Sequence, residues 1–482
     1  MRQTAILHGW SDNSDSFKPL AQFLRDQGHV PVPVWLGDYI SMDDDVGIED
    51  VAKRMEEVVQ SMQADGDLDK EFDLIVHSTG GLVARKWLVD YYGTTRTPPV
   101  RRLVMLAPAN FGSRLAKTGK SLLGRAFKGF LNGFQTGRRM LDALELGSQF
   151  SWELARRDLL AADDEEDDGS RIYGEDRVLP FVIVGTRAYE ELPRRLVNEN
   201  GSDGTVRVSA ANLNILGVTI DFSDDIQNPQ IQQWAPRFSH RIPIAVLPDR
   251  DHASVTRPDT RDRGAVLGVV ETLGDLILRA LRCQTIAEYN TIAGDWCGEQ
   301  PTSINERTAV AAEMAANLPG YDDDGPLGPE AFHQYMQIVC HVVDDHGSEV
   351  ADYFLEYPGS TKLALDDAAE YFQSHVLEKV DVNEVSAARR TLFVDRTDLM
   401  AGYYAHTNVN ALYLRVVAAA LGDNVGYFIP PNEGDAADAI GLIQIHSQDK
   451  AVRWLTRNST HLVKIIIPRV PDPGVFGLKA WS

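Results

Sequence analysis

Apolar positions in the first 280 residues alternate between two rhythms. Short, nearly continuous apolar runs at Thr4–Leu7, Val30–Leu36, Phe72–Val76, Arg102–Ala107, Phe181–Val184 and Ile242–Leu247 read as strands. Between them the spacing becomes helical. Over Val46–Met62, the residues Val51, Met55, Val58, Val59 and Met62 share one side, and Leu82, Val83, Trp87 and Leu88 follow Gly81 in the same manner. Ala265–Leu281 closes this part as a helix. Strands without polar alternation, separated by helices, predict an α/β fold whose parallel sheet is covered on both faces. Pro31 and Pro33 predict an edge position or an irregular start for the second strand, because proline cannot donate to a ladder.

An insertion at about 112–176 breaks this rhythm. Gly112 to Leu141 contains no acid but holds Arg114, Lys117, Lys120, Arg125, Lys128, Arg138 and Arg139. On a helix, Leu122, Leu123, Phe127, Phe130, Leu131 and Phe134 share one broad face, opposite Lys117, Arg125 and Lys128. This cationic amphipathic pattern suits a lid over an apolar groove or a contact with anionic lipid. A helix packed on the core is the alternative. Gly119, Gly124, Gly129 and Gly133 each cost about 1 kcal/mol of helix propensity, which argues against one rigid helix. The acidic run Asp163–Asp168 repels itself and reads as a solvated loop.

The character changes after residue 282. Residues 283–330 are polar and marked by Pro and Gly, as in a linker or long loop. Strand-like runs follow at Tyr335–Val343, Tyr353–Tyr357, Leu392–Asp395, Ala411–Val417, Gly441–His446 and Leu462–Pro468, separated by turn signals. Residues 331–482 therefore read as a mostly β, sandwich-like domain, whose edge strands offer a route to a homo-oligomer. A length of 482 residues accommodates two or three domains.

Composition narrows the function classes. With 47 Lys+Arg against 70 Asp+Glu, a net charge of −23 disfavours nucleic-acid binding, which depends on phosphate neutralisation by basic residues. Cys283, Cys297 and Cys340 have neither zinc spacing nor the look of a disulfide framework. The clusters Asp43–Asp45 and Asp322–Asp324 do not fit a calcium loop, and no Gly-rich phosphate loop occurs, so no metal or cofactor is expected. Neither a secretory leader nor an apolar run of about 18 residues is present, which gives the expectation of a cytoplasmic or peripherally membrane-associated protein.

The chemistry is carried by four short phrases. Val76-His77-Ser78-Thr79-Gly80 sits between a strand and a helix, the context of a nucleophile elbow. Its usual first glycine is Val76 here, and a Ser78 N-cap is the plainer reading of the phrase alone. A serine nucleophile needs donors for a developing oxyanion. The Thr79 N–H is one, and His8-Gly9-Trp10, after an earlier strand, offers the Trp10 N–H as the other. An orienting acid belongs in a loop after a later strand, where Ser202-Asp203-Gly204 stands, and a base follows the last strand, where His252 stands. His240 precedes that strand and is set aside, because catalytic loops leave strand ends. Asp249 and Asp251 lie too near His252 in sequence for a separate acid loop.

These phrases, together with Ala109-Asn110-Phe111-Gly112-Ser113, resemble the α/β-hydrolase lipases, and within them the chain is similar to the PlaB-like bacterial phospholipases A. That family also replaces the elbow's first glycine, keeps a His-Ser-Thr-Gly core, and follows its hydrolase half with a β-rich half. Its elbow has Thr where this chain has Val76. The resemblance implies an α/β-hydrolase domain over 1–282 with Ser78 as nucleophile, Asp203 as acid and His252 as base. It also implies hydrolysis of acyl esters in phospholipids or lysophospholipids at a membrane surface, with peripheral membrane contact. A general carboxylesterase or lipase, an acyltransferase, and a catalytically silent membrane- or partner-binding protein are the competing readings.

Overall fold

Six short, almost wholly apolar strands build the first sheet: β1 (Thr4–Leu7), β2 (Val34–Gly37), β3 (Phe72–His77), β4 (Val100–Leu106), β5 (Leu179–Gly185) and β6 (Ile244–Leu247). The computed structural model describes residues 2–10, 12–27, 34–94, 96–116, 137–162, 170–189, 198–226, 228–258, 271–297, 330, 333–357, 367–403, 411–418, 422, 424–427, 442–446 and 455–478. The strand order is β6-β5-β4-β3-β1-β2, and every pairing is parallel. Burial of β3, β5 and β6 on both faces explains their unbroken apolar sequence. β2 lies at an edge, one of the two expectations set by Pro31 and Pro33, which themselves lie outside the described residues.

The helices between and after these strands supply the cover. They are α1 (Lys18–Asp26), α2 (Ile48–Asp65), α3 (Gly80–Tyr92), α4 (Arg138–Leu144), α5 (Gln149–Asp158), α6 (Leu273–Arg282) and α7 (Ile286–Cys297). From β1 the chain steps outward to β2, and from β3 it steps the other way to β4. The order therefore reverses between β1 and β3, and the crevice at their carboxyl ends is the usual ligand position in such a sheet.

The basic segment Leu122–Phe134 lies outside the described residues, as does the acidic run Asp163–Asp168. Later parts of the expected insertion are core. In α4 Met140 and Leu141 are buried, and α5 packs on α3 with Trp152 and Leu154 buried. A buried ion pair fastens α5 to α3, with Arg85 Nε and Nη2 at 2.8 and 2.9 Å from the Asp158 carboxylate. Helix α7 occupies the start of the stretch read from sequence as a linker, and its Tyr289 donates to the Pro180 carbonyl at 2.9 Å.

The chain divides into two units, Met1–Ile215 with Pro236–His333, and Leu216–Ala235 with Gln334–Ser482. The second is mostly β. Its larger sheet is mixed and runs Leu377–Val382, Arg389–Asp395, Tyr335–Asp344, Ser459–Ile467, Leu216–Asp221, Gln230–Gln233. Tyr335–Asp344, Ser459–Ile467 and Leu216–Asp221 are parallel neighbours, and the other pairings are antiparallel. A second, antiparallel sheet joins Tyr353–Glu356, Ala411–Ala418 and Leu442–His446. Alternate residues from both sheets, such as Val218, Cys340, Leu392 and Val463 with Tyr353 and Val416, share one apolar cluster. Leu216–Gln233 thus belongs to the β unit, although the sequence reading assigns it to the hydrolase range. Its strand is completed by Ser459–Ile467, a partner that local pattern cannot reveal.

Candidate active site

Parallel register brings the strand ends together. Leu7 pairs with Val76, His77 with Leu106, and Leu247 with Gly185, so His8, Ser78 and the Pro248–His252 loop all leave one edge of the sheet. Strand β3 ends in a sharp turn in which Ser78 takes φ 52°, a left-handed conformation that costs a side-chain-bearing residue energy. Glycines make the turn fit. A Cβ at Gly80 would stand 2.8 Å from the His8 carbonyl oxygen, and one at Gly81 would stand 2.9 Å from Pro108 Cβ. Val76 keeps an ordinary strand conformation and is buried, so the departure from the usual motif costs no backbone strain.

One chain of hydrogen bonds runs through the crevice. Asp203 Oδ2 lies 2.8 Å from His252 Nδ1, and His252 Nε2 lies 3.1 Å from Ser78 Oγ. A carboxylate only accepts, so the Nδ1 carries a proton and Nε2 is left to accept from the serine hydroxyl. The other oxygen, Asp203 Oδ1, accepts the amides of Thr205 (3.0 Å) and Val206 (2.7 Å), which fixes the carboxylate plane. Asp203 is fully buried, while Ser78 and His252 keep 9% of their surface each.

The loop of His252 is held by its main chain as well. Its N–H donates to the Asp203 carbonyl at 3.0 Å, and its carbonyl accepts from His77 Nε2 at 2.9 Å. Burial pushes the His77 pKa well below the usual histidine value, and His252, with its ring 4.6 Å away, acts in the same direction. His77 is therefore a neutral donor to the His252 loop. The sequence reading names it only as part of the elbow and assigns it no role.

The competing residues are engaged elsewhere. Asp251 Oδ1 caps the amides of Ala253 (3.0 Å) and Ser254 (2.7 Å). Asp249 faces Arg250 at 3.7 Å, and His240 meets Asn290 at 2.9 Å on the surface.

Of the two expected amide donors, Thr79 is the next residue after Ser78. Thr79 precedes the first turn of α3, where amides have no intrahelical carbonyl. Trp10 follows Gly9, and Gly9 lies against Ser78: a Cβ there would stand 2.6 Å from Ser78 Cβ. The Ala109–Ser113 phrase braces the acid loop. Asn110 Nδ2 donates to the Ala211 carbonyl (2.8 Å), Phe111 N–H to Ala210 (2.9 Å), and Ser113 Oγ to Thr205 (2.6 Å). Tyr39, half-buried and stacked on His8, is a second contributor that sequence reasoning misses. Its position just after strand β2 is the one signal for it.

The three cysteines are buried and form no disulfide with one another, and burial raises the thiols of Cys283 (to about 11) and Cys340 (to about 12). Such thiols are poor nucleophiles and poor metal ligands at neutral pH.

Residues 6–261 match the profile described as "Alpha/beta hydrolase family". The structure is similar to phospholipase PlaB from Legionella pneumophila at 25% identity and a TM-score of 0.76, over 99% of this chain and 96% of that one. A second structure of that protein, in complex with thio-NAD, matches at 24% identity, a TM-score of 0.75, and the same coverage. The mature lipase BlEst2 of Bacillus licheniformis matches 53% of this chain and 86% of its own, at 13% identity and a TM-score of 0.36. No curated protein sequence matches significantly.

Proposed function

The chain belongs to the alpha/beta hydrolase family, and on that premise we propose that it is a phospholipase A and lysophospholipase A using Ser78, His252 and Asp203. The coarser statement, a lipase- or esterase-type hydrolase, follows from the family and from whole-length similarity to a phospholipase. The catalytic roles are supported by the continuous hydrogen-bonded chain from Asp203 through His252 to Ser78, with the serine raised on a strained turn, and the phospholipid substrate class by the whole-length likeness to phospholipase PlaB.

In this reading His252 Nε2 takes the Ser78 proton as Oγ attacks the acyl carbonyl carbon. The developing oxyanion is met by the Thr79 and Trp10 amides. Asp203 keeps the imidazole in the Nδ1–H tautomer and stabilises its cation. The protonated His252 then gives its proton to the departing alcohol, a lysophospholipid or glycerophosphodiester. Water activated by the same imidazole releases the fatty acid and restores Ser78. Peripheral contact with the lipid surface is part of the proposal. Among the described residues, no helix is long and apolar enough to cross a membrane.

The test is fatty-acid release from phosphatidylcholine, phosphatidylglycerol and their lyso forms, by wild type and Ser78→Ala in parallel, with short-chain p-nitrophenyl esters as control. Release that disappears in Ser78→Ala supports the nucleophile and the substrate class together. Turnover of the short esters alone reduces the proposal to a general esterase. A folded protein inactive on both rejects it in favour of a silent binding role.

A further inference from the structure

Both ring nitrogens of His8 are bound to main chain. Nδ1 lies 2.6 Å from the Gly9 carbonyl oxygen, and Nε2 lies 3.1 Å from the Tyr39 amide nitrogen. A carbonyl only accepts and an amide only donates, so the two bonds together require the neutral ring with its proton on Nδ1. Asp38 Oδ1 stands 3.5 Å from the same Nε2, a contact that would need a proton there. That carboxylate is already taken by the Ser14 amide (2.8 Å) and hydroxyl (2.7 Å), and the shorter Tyr39 bond decides the tautomer. The Tyr39 ring lies flat on the imidazole, with centroids 4.3 Å apart and planes 3° apart, and its hydroxyl donates to the His8 carbonyl at 3.0 Å. His8 is 1% exposed.

The consequence comes from peptide geometry. The Gly9 carbonyl and the Trp10 N–H belong to one planar trans unit, in which they point in opposite directions. Holding the carbonyl against His8 therefore aims the Trp10 N–H away from His8. Gly9 abuts Ser78, so this peptide lies beside the nucleophile. We infer that His8, clasped by Tyr39, is a positioning residue that sets the orientation of the Trp10 amide toward the oxyanion. A histidine that merely filled the core would not need its one proton fixed on Nδ1 and an amide donor facing Nε2. The inference rests on the proposed roles of Ser78 and Trp10.

The experiment uses the full chain as wild type, Ser78→Ala, His8→Asn, His8→Gln and His8→Phe. Steady-state hydrolysis of a soluble short-chain acyl ester is measured beside inhibition by an alkyl trifluoromethyl ketone, whose serine adduct carries an oxyanion. Loss of an oxyanion donor costs about 10²–10³, and a misaimed one less, so His8→Phe is expected to lower kcat about 10–100-fold. KM is expected to stay within roughly threefold, because the lost interaction belongs to the transition state. Inhibition by the ketone should weaken by the same factor as kcat. His8→Asn should recover most of the loss, since its amide Nδ2–H falls where the Nδ1–H stood, and His8→Gln should not. Equal behaviour of Asn and Gln overturns the inference, as does a loss carried by KM alone or a His8→Phe kcat near wild type. Should His8→Phe fail to fold, the Asn–Gln contrast still decides. Undiminished activity of Ser78→Ala would instead reject the proposed function.

Discussion

Asp203→Asn tests the orienting role of the acid without changing its size. In the native site Oδ1 is held by two amide donors, Thr205 and Val206, and Oδ2 faces His252 Nδ1. An asparagine must keep its carbonyl oxygen toward those two donors, since turning it over would set its NH₂ against two N–H groups. Its NH₂ then points at His252 Nδ1 and donates to it. The imidazole proton moves to Nε2, where it faces Ser78 Oγ and leaves the ring unable to accept the serine proton. The same tautomer error in the serine-protease triad costs about 10⁴ in kcat, equivalent to about 5 kcal/mol of transition-state stabilisation. A loss of that order is expected here in kcat for a soluble ester, with KM little changed. Labelling of Ser78 by a fluorophosphonate should slow in parallel, and the melting temperature should shift little, because shape and both backbone bonds survive. A folded Asp203→Asn variant retaining more than about a tenth of wild-type kcat would refute the reasoning, since no proton relay through the wrong tautomer runs at that rate.

Further outcomes follow from the geometry. Gly9→Ala places a methyl 2.6 Å from Ser78 Cβ, so either the β1 loop or the serine must move. At least a 100-fold loss of kcat/KM is expected on the scale of one misplaced oxyanion donor, and a near-native value would show that the loop yields freely. Asp158→Leu strands the fully buried Arg85, a change that costs about 3–5 kcal/mol, whereas Arg85→Met with Asp158→Leu should recover much of it in thermal unfolding. Burial, with the Arg396 charge, pushes His461 down to about 4 from 6.5. The unfolded chain then binds more protons than the folded one between those values, so this contribution to stability is present above pH 6.5 and lost as pH falls toward 4. Removing it by His461→Leu should flatten the fall by up to about 3 kcal/mol, read by denaturation at a series of pH values, and an unchanged slope would contradict it.

Much of the hydrolase unit was legible in the chain because its signals are local. Runs such as Phe72–His77 and Leu179–Gly185 are buried on both faces and so carry no polar residues, which marks them as parallel strands without any partner in view. The elbow is similarly local: a serine at φ 52° requires small residues next to it, and Gly80 and Gly81 stand there. Strand starts and ends moved by one to four residues, since the first and last pairs depend on the neighbouring strand. The extra strand Leu377–Val382 escaped notice because it lies at a sheet edge with alternate residues exposed.

By itself the sequence determined which residue types suited to acyl-transfer chemistry occur, and in what order, because Trp10, Ser78 and His252 each follow closely on an apolar run that reads as a strand and Asp203 stands in a Gly-rich loop after another. Only the tertiary structure decided what lies across from what. Parallel register brought the ends of β1, β3 and β6 to one edge, so that Gly9, Ser78 and His252 meet although they are far apart in the chain. It separated Asp203 from Asp249 and Asp251 as the partner of His252, and it showed His77 and Tyr39 holding the loops beside the serine. It also took Leu216–Gln233 into the β unit, through a pairing with Ser459–Ile467. The physical reason is common to all of these. Periodicity records which face of an element is buried, whereas a hydrogen bond between distant loops depends on the register of whole strands, which no local stretch of sequence encodes.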